Sequence, residues 1–116
     1  MMRPAVRRGE IWLANWPRGL GSEQRGLRPS LIIQNDEGND NGNTTIVAAI
    51  STSWRPYPFI VPITSSESGL PRASAVNLSQ VQTIDRLRLI RRVGRLEVAA
   101  MMLINEAIRV SLGLSS

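Results

Sequence analysis

The 116 residues contain neither histidine nor cysteine. Imidazole acid–base catalysis, a thiolate nucleophile, a thiolate zinc site and a disulfide framework are therefore excluded together. The nine acids (Glu10, Glu23, Asp36, Glu37, Asp40, Glu67, Asp85, Glu97 and Glu106) are scattered, and only Asp36, Glu37 and Asp40 gather. Their spacing, in a stretch rich in asparagine and glycine, is not that of a calcium loop, so the cluster reads as a solvated turn. No phosphate-cradling glycine motif and no nucleophile elbow occurs. What remains for chemistry is guanidinium, hydroxyl and amide groups, in residues 21–29 (GSEQRGLRP) and 48–53 (AAISTS).

The charge balance has one sign and one chemistry. The net charge is +5, and all 14 basic residues are arginine. Guanidinium is a planar fork that grips phosphate bidentately and stacks on bases, so this surface suits a nucleic-acid partner. The absence of lysine is equally explained by the bias of a GC-rich genome. Charge tells who is attracted, not what is done to them.

The elements that must hold these groups are mostly strands. Residues 10–14 (EIWLA) form a short apolar run ending near Pro17, and residues 18–27 carry three glycines and read as a mobile loop. Residues 29–35 (PSLIIQN), 44–52 (TTIVAAIST), 59–64 and 74–84 have strand length and β-branched composition, with a turn over 36–43 (DEGNDNGN). Asp85 is suited to cap a helical turn through Leu89, and residues 91–93 read as a last strand. Residues 97–112 predict a helix with one apolar stripe of Met101, Ile104 and Ile108 and a second of Leu103, Ala107, Val110 and Leu114. The second stripe either widens a buried face or meets another chain. The expectation is an α+β fold, a small antiparallel β-barrel or half-barrel with a C-terminal helix. It comprises one domain over residues 7–116, preceded by a flexible tail over 1–6. With no 20-residue apolar run and no signal-peptide pattern after the basic start, the expected location is cytoplasmic, with no membrane partner.

Seven segments, colinear over residues 7–114, resemble the MazF/PemK toxins: RGEIW at 8–12, GSEQ-x-G-x-RP at 21–29, LIIQND at 31–36, VAAIS at 47–51, YPF at 57–59, QTID at 82–85 and SLGL at 111–114. The resemblance implies an SH3-like barrel and a homodimer. It implies a toxin that cuts single-stranded RNA, mRNA included, to 2′,3′-cyclic phosphate and 5′-hydroxyl ends without metal or cofactor, opposed by a cognate antitoxin. The family's catalytic arginine falls on Arg28 and its partner threonine on Ser51. Glu23 matches a glutamate implicated in some members. Contacts to RNA are expected from Gln24, Arg25, Ser53, Trp54, Gln80, Gln82 and Arg86.

The chemistry agrees with that assignment. The 2′-hydroxyl is the substrate's own nucleophile, which selects RNA over DNA. Charge then builds on the non-bridging oxygens, and Arg28 is suited to stabilise it. A guanidinium pKa above about 12 leaves too little neutral arginine to act as base, so Glu23 is the candidate base. Serine at 51 keeps the hydroxyl but loses a rotamer-restricting methyl. Strand alternation places Ser51 and Ser53 on one face and Thr52 on the other, so Ser53 and not Thr52 is expected to share the task. Trp12 reads as core, and Trp16 and Trp54 read as stacking platforms or loop packing. The duller readings are a loop-anchoring salt bridge for Arg28, a strand-end hydroxyl for Ser51 and a solvated edge for the arginines between 86 and 95. Two rivals share the sequence features: a non-catalytic nucleic-acid-binding module, and a gyrase-inhibiting toxin of the same fold.

Overall fold

In the computed structural model, which describes residues 2–23 and 25–114, six antiparallel strands make one coiled sheet. They are β1 (Glu10–Trp16), β2 (Gly26–Ile32), β3 (Thr44–Ser51), β4 (Ile60–Ile63), β5 (Ser74–Asp85) and β6 (Leu89–Arg95). The order across the sheet is β4-β5-β3-β2-β1-β6. Three α-helices, α1 (Asp36–Asn41), α2 (Ser65–Ser68) and α3 (Val98–Ser111), complete the described chain, with a 3-10 turn over Arg86–Arg88 that Asp85 caps as expected.

Alternation along the strands gives the sheet two buried faces. One carries Ile11, Leu31, Ala48, Ile50, Val76 and Leu78 and is covered by α3 through Ile104 and Ala107. Ser111 Oγ fixes the end of that helix by donating to the Leu78 carbonyl at 2.6 Å. The opposite face gathers Val6, Trp12, Ala14, Trp16, Ile32, Val47, Ala49, Ile84 and Leu89 into a second cluster. Of the helix's second stripe only Ala107 is buried, whereas Leu103 and Leu114 are 61% and 65% exposed. The reading as one wide buried face therefore does not hold.

The sheet is α+β and barrel-like in curvature, but not closed, because no ladder joins β4 to β6. The gap is bridged by α2, whose C-terminal end lies against β6. A Cβ on Gly94 would run into the Ser68 carbonyl, and one on Gly69 would come within 2.8 Å of the Val93 carbonyl. Backbone thus meets backbone where an edge-to-edge ladder would otherwise be needed.

Two short helices fall outside the sequence reading, the first of them in place of an expected turn. Over 36–41, Asn35 caps α1 by accepting from Gly38 N–H at 2.7 Å. Buried Asn39 then ties it down, accepting from Thr45 Oγ1 at 2.7 Å and Gln34 Nε2 at 3.0 Å. Local propensity favoured a turn, and this buried network overrides it. Asp36 and Asp40 face Arg7 and Arg8 here, so the acidic cluster is spent on the N-terminal segment. At 65–68, Thr64 and Glu67 form a capping box, a signal present in the sequence but not read there.

The N-terminal segment is docked, contrary to the expected flexible tail. Arg3 donates twice to Asp85 at 2.9 Å, and Val6 is buried in the second cluster. Arg86 completes the clamp, donating to the Pro4 and Gly42 carbonyls at 2.6 Å each.

Two outcomes test this architecture. Gly94→Ala is expected to cost ~1–3 kcal/mol, because neither backbone can retreat; a denaturant midpoint equal to wild type would remove the α2–β6 bridge from the argument. The Arg3 guanidinium and the Leu87 N–H hold the Asp85 carboxyl at about 2, down from 3.8. A carboxylate with a lowered folded pKa adds stability above its unfolded pKa and loses it as pH falls through the folded one. Asp85→Asn should therefore flatten the loss of thermal stability between pH 4 and pH 2, measured by scanning calorimetry.

Candidate active site

The site lies where β2 and β3 part. Their ladder holds only three pairs, Ser30 with Ala49, Leu31 with Ala48 and Ile32 with Val47, whereas β2 stays paired to β1 back to Gly26. Pro29 sits in this half-free stretch, where a missing N–H is tolerated. Continuing the register two residues past Ser30 sets Arg28 opposite Ser51, with no ladder bond between them. A cavity of about 250 Å³ opens there, lined by Leu27, Arg28, Pro29, Ile50, Ser51, Thr52 and Ser74.

Arg28 enters this cavity on the face of the second cluster. Its best contact is Nη1 to the Ile50 carbonyl at 3.5 Å, and its buried Nε has no partner among the described residues. Burial lowers its pKa from the ordinary arginine value. No ion pair involves it among the described residues, so the loop-anchoring reading fails. A half-buried cation with idle donors is costly to keep and is what an anion would satisfy.

Ser51 ends β3, and its Oγ accepts from Ser53 N–H at 3.1 Å. That leaves the hydroxyl proton to point elsewhere, which makes Ser51 a donor toward the cavity. Thr52 corrects the alternation argument. The strand ends at Ser51 and the chain bends, so Thr52 lines the Arg28 cavity, while Ser53 lines the neighbouring one. The strand run was read one residue too long.

That neighbouring cavity, of about 190 Å³, shares Ser51 and is walled by Ser53, Trp54, Arg55, Tyr57, Phe59, Ile60, Ala75 and Asn77. Trp54 is 40% exposed, as a stacking platform requires. Tyr57 and Phe59 stack in parallel, with centroids 5.3 Å apart at 6°. Arg55, Tyr57 and Asn77 had no place in the expected contact set. The YPF segment hinted only at Tyr57.

A third recess, of about 420 Å³, is lined by Trp16, Glu23 and residues 79–82 of β5. Glu23 is set apart from Arg28 here. It does not line the Arg28 cavity, and its Oε2 accepts from Leu20 N–H at 2.9 Å while its own N–H donates to the Leu20 carbonyl. Glu23 therefore staples the loop, and Gln80 and Gln82 share its recess. A bulge in β5 lies between the two recesses: the partners of Ala48 and Ala49 jump from Val81 to Asn77. Asn77 goes to the aromatic cavity and the two glutamines to the other.

Three further residues resolve individually. Gln24 lies outside the described residues, and Arg25 is exposed at the loop's exit. Arg86 is removed from the site. It follows Asp85, the partner of Thr44, ~23 Å along β3 from Ser51 at about 3.3 Å per residue, with its guanidinium committed to two carbonyls. Trp16 is core and not a platform: it is 4% exposed, and its indole donates to Ser30 Oγ at 2.8 Å. Trp12 is buried as expected, donating to Glu10 at 3.0 Å. In the basic run, Arg92 lies 3.5 Å from Glu10 and Arg88 donates to the Asn15 carbonyl, so these two serve the β1–β6 edge.

An open coiled sheet with a helix on one face and an arginine–hydroxyl cavity on the other defines a small basic α+β protein built to hold a polyanion. A model of the family described as "PemK-like, MazF-like toxin of type II toxin-antitoxin system" matches residues 7–112, and the chain belongs to that family. It is similar to the endoribonuclease EndoA of Bacillus subtilis (strain 168), 40% identical over 111 residues covering 94% of this chain and 96% of that protein. The endoribonuclease MazF of Staphylococcus saprophyticus is 41% identical over 111 residues, 94% of this chain and 92% of that one. A solved structure titled as a mycobacterial endoribonuclease in complex with its cognate antitoxin aligns at a TM-score of 0.80 and 27% identity, covering 97% of this chain and 99% of that one.

If Arg28 is kept for chemistry, Arg28→Met should leave the fold at least as stable as wild type. A drop in thermal midpoint beyond about 4 °C, roughly 1 kcal/mol for a chain of this size, would make it a structural residue instead.

Proposed function

We propose that this toxin is an endoribonuclease that cleaves single-stranded RNA in the Arg28–Ser51 cavity, leaving 2′,3′-cyclic phosphate and 5′-hydroxyl ends. The observation that carries the reading is the Arg28 guanidinium, half-buried, poorly hydrogen-bonded and facing a hydroxyl donor. The 2′-hydroxyl oxygen attacks the adjoining phosphorus as its proton passes to solvent water, and the bond to the 5′-oxygen breaks. Arg28 neutralises the charge gained by the non-bridging oxygens, and Ser51 and Thr52 donate to them or orient the 2′-hydroxyl. The leaving 5′-oxygen takes a proton, for which the Arg28 fork is within reach of the same phosphate. Glu23 lies in a separate recess, so its part is to order the loop beside the strand's path and not to accept the proton.

The relatives named as endoribonucleases support this activity, and the relative solved with its antitoxin supports a cognate antitoxin as partner. A homodimer is supported by the apolar strip of Leu103 and Val110 beside Ile60 and Pro62 of the edge strand β4. Its work lies in the cytoplasm, where mRNA is translated. Among the described residues no helix is long and apolar enough to cross a membrane.

The test is incubation of the protein with mixed-sequence single-stranded RNA in excess EDTA. Wild type should cut at defined sites, and Arg28→Ala should be slower by ~10²–10³-fold. Cleavage abolished by EDTA would overturn the metal-free chemistry. RNA bound in a salt-dependent manner but never cut would leave a binding module, and growth arrest with altered DNA topology when the chain is induced in cells would point to gyrase.

A further inference from the structure

We propose that the aromatic cavity beside Ser51 is the subsite for one nucleobase next to the scissile phosphate, and that Asn77 makes it select a base bearing a keto oxygen. The inference deepens the RNA-cleavage reading and rests on it.

Position comes first. Ser51 lines both cavities, so a strand whose phosphate sits against Arg28 has its adjoining base over the second one. Ser51 pairs with Ala75, and Asn77 lies two residues further along β5 on the same face, at a diagonal reach of roughly 7–8 Å. At about 190 Å³ the cavity falls below the roughly 300–1,000 Å³ of sites that enclose whole drug-sized ligands, which fits a single ring system.

The walls supply stacking. Tyr57 is half-exposed, and its hidden side is backed by Phe59 at 5.3 Å, so its free face is held in place before any ligand arrives. Trp54 is the one tryptophan of the three with substantial exposure. Stacking on such rings takes any base, because every base has a π-face.

Selection has to come from a polar edge, and Asn77 has only one kind to offer. Its Oδ1 accepts from Ser79 N–H at 2.9 Å and from Ser79 Oγ at 2.6 Å. A backbone N–H can only donate, so the amide cannot flip without losing that bond. The amide NH₂ has no partner among the described residues and is the group left for the cavity. Two N–H donors match a keto oxygen, as on uracil or guanine, and oppose the exocyclic amine of adenine.

The probes are 2′-O-methyl hexamers of uridine and of adenosine, which resemble RNA but lack the attacking hydroxyl, with affinities measured by anisotropy at fixed salt. Wild type should bind the uridine strand more tightly. Asn77→Asp still accepts from Ser79 but offers no donor, so it should lower the uridine-to-adenosine affinity ratio by about fivefold or more. Its added charge weakens both strands alike, which is why the ratio is the readout. Tyr57→Ala should weaken both strands by about 5–100-fold and leave the ratio unchanged. A ratio in Asn77→Asp within twofold of wild type, or no uridine preference in wild type, overturns the proposal. Selective binding by a wild type that cuts no RNA would keep the subsite and sink the nuclease reading. Absence of binding to either strand would overturn both.

Discussion

Three residue pairs hold β2 to β3, and beyond Ser30 and Ala49 the two strands go separate ways while keeping their outer neighbours. Everything chemical in the molecule depends on that parting. A full ladder would seal Arg28 against Ser51 and leave no room for a phosphate; a wider gap would cost the buried run of Leu31, Ile32, Val47 and Ala48 that joins the two cores. Pro29 marks the boundary, since β2 beyond it needs donors only toward β1. The guanidinium that results is stripped of much of its water and given little in exchange. Such discomfort is tolerable in a small domain only because two apolar clusters, one on each face of the sheet, hold the surrounding backbone.

The β5 bulge lies between the two other recesses, skipping Leu78 to Gln80 between the partners of Ala48 and Ala49. Without it strict alternation would put Asn77 on the opposite face from Gln80 and Gln82. Ser79, a residue with no obvious purpose in the sequence, spends its N–H and hydroxyl on Asn77 and so fixes which way that amide faces.

Much of the fold was legible because its strands are short, β-branched and punctuated, and because the last helix carries a regular apolar stripe. Residues 36–41 were not, since their helix depends on Asn39 finding Thr45 and Gln34 in a buried network that no local pattern announces. Arg28 and Ser51 were found through motif resemblance, not through spacing. Glu23 and Arg86 are set apart from Arg28, which the sequence did not show: a charge in a motif says nothing about which carbonyl or N–H will claim it. Thr52 was lost to an extra residue of assumed alternation. Tyr57 and Asn77 were missed because a cavity is a property of three elements at once.

The strand order has a bearing on the life of the chain as it is made. Arg28 and Ser51 leave the ribosome early, but Ser74, Ala75 and Asn77, which wall their cavities, come later, and β1 gains its second neighbour only when β6 is complete. Arg3 must wait for Asp85. Contacts so distant in sequence fold slowly compared with local ones. A nascent copy of this toxin therefore lacks the complete walls of both cavities until β5 has been made and paired.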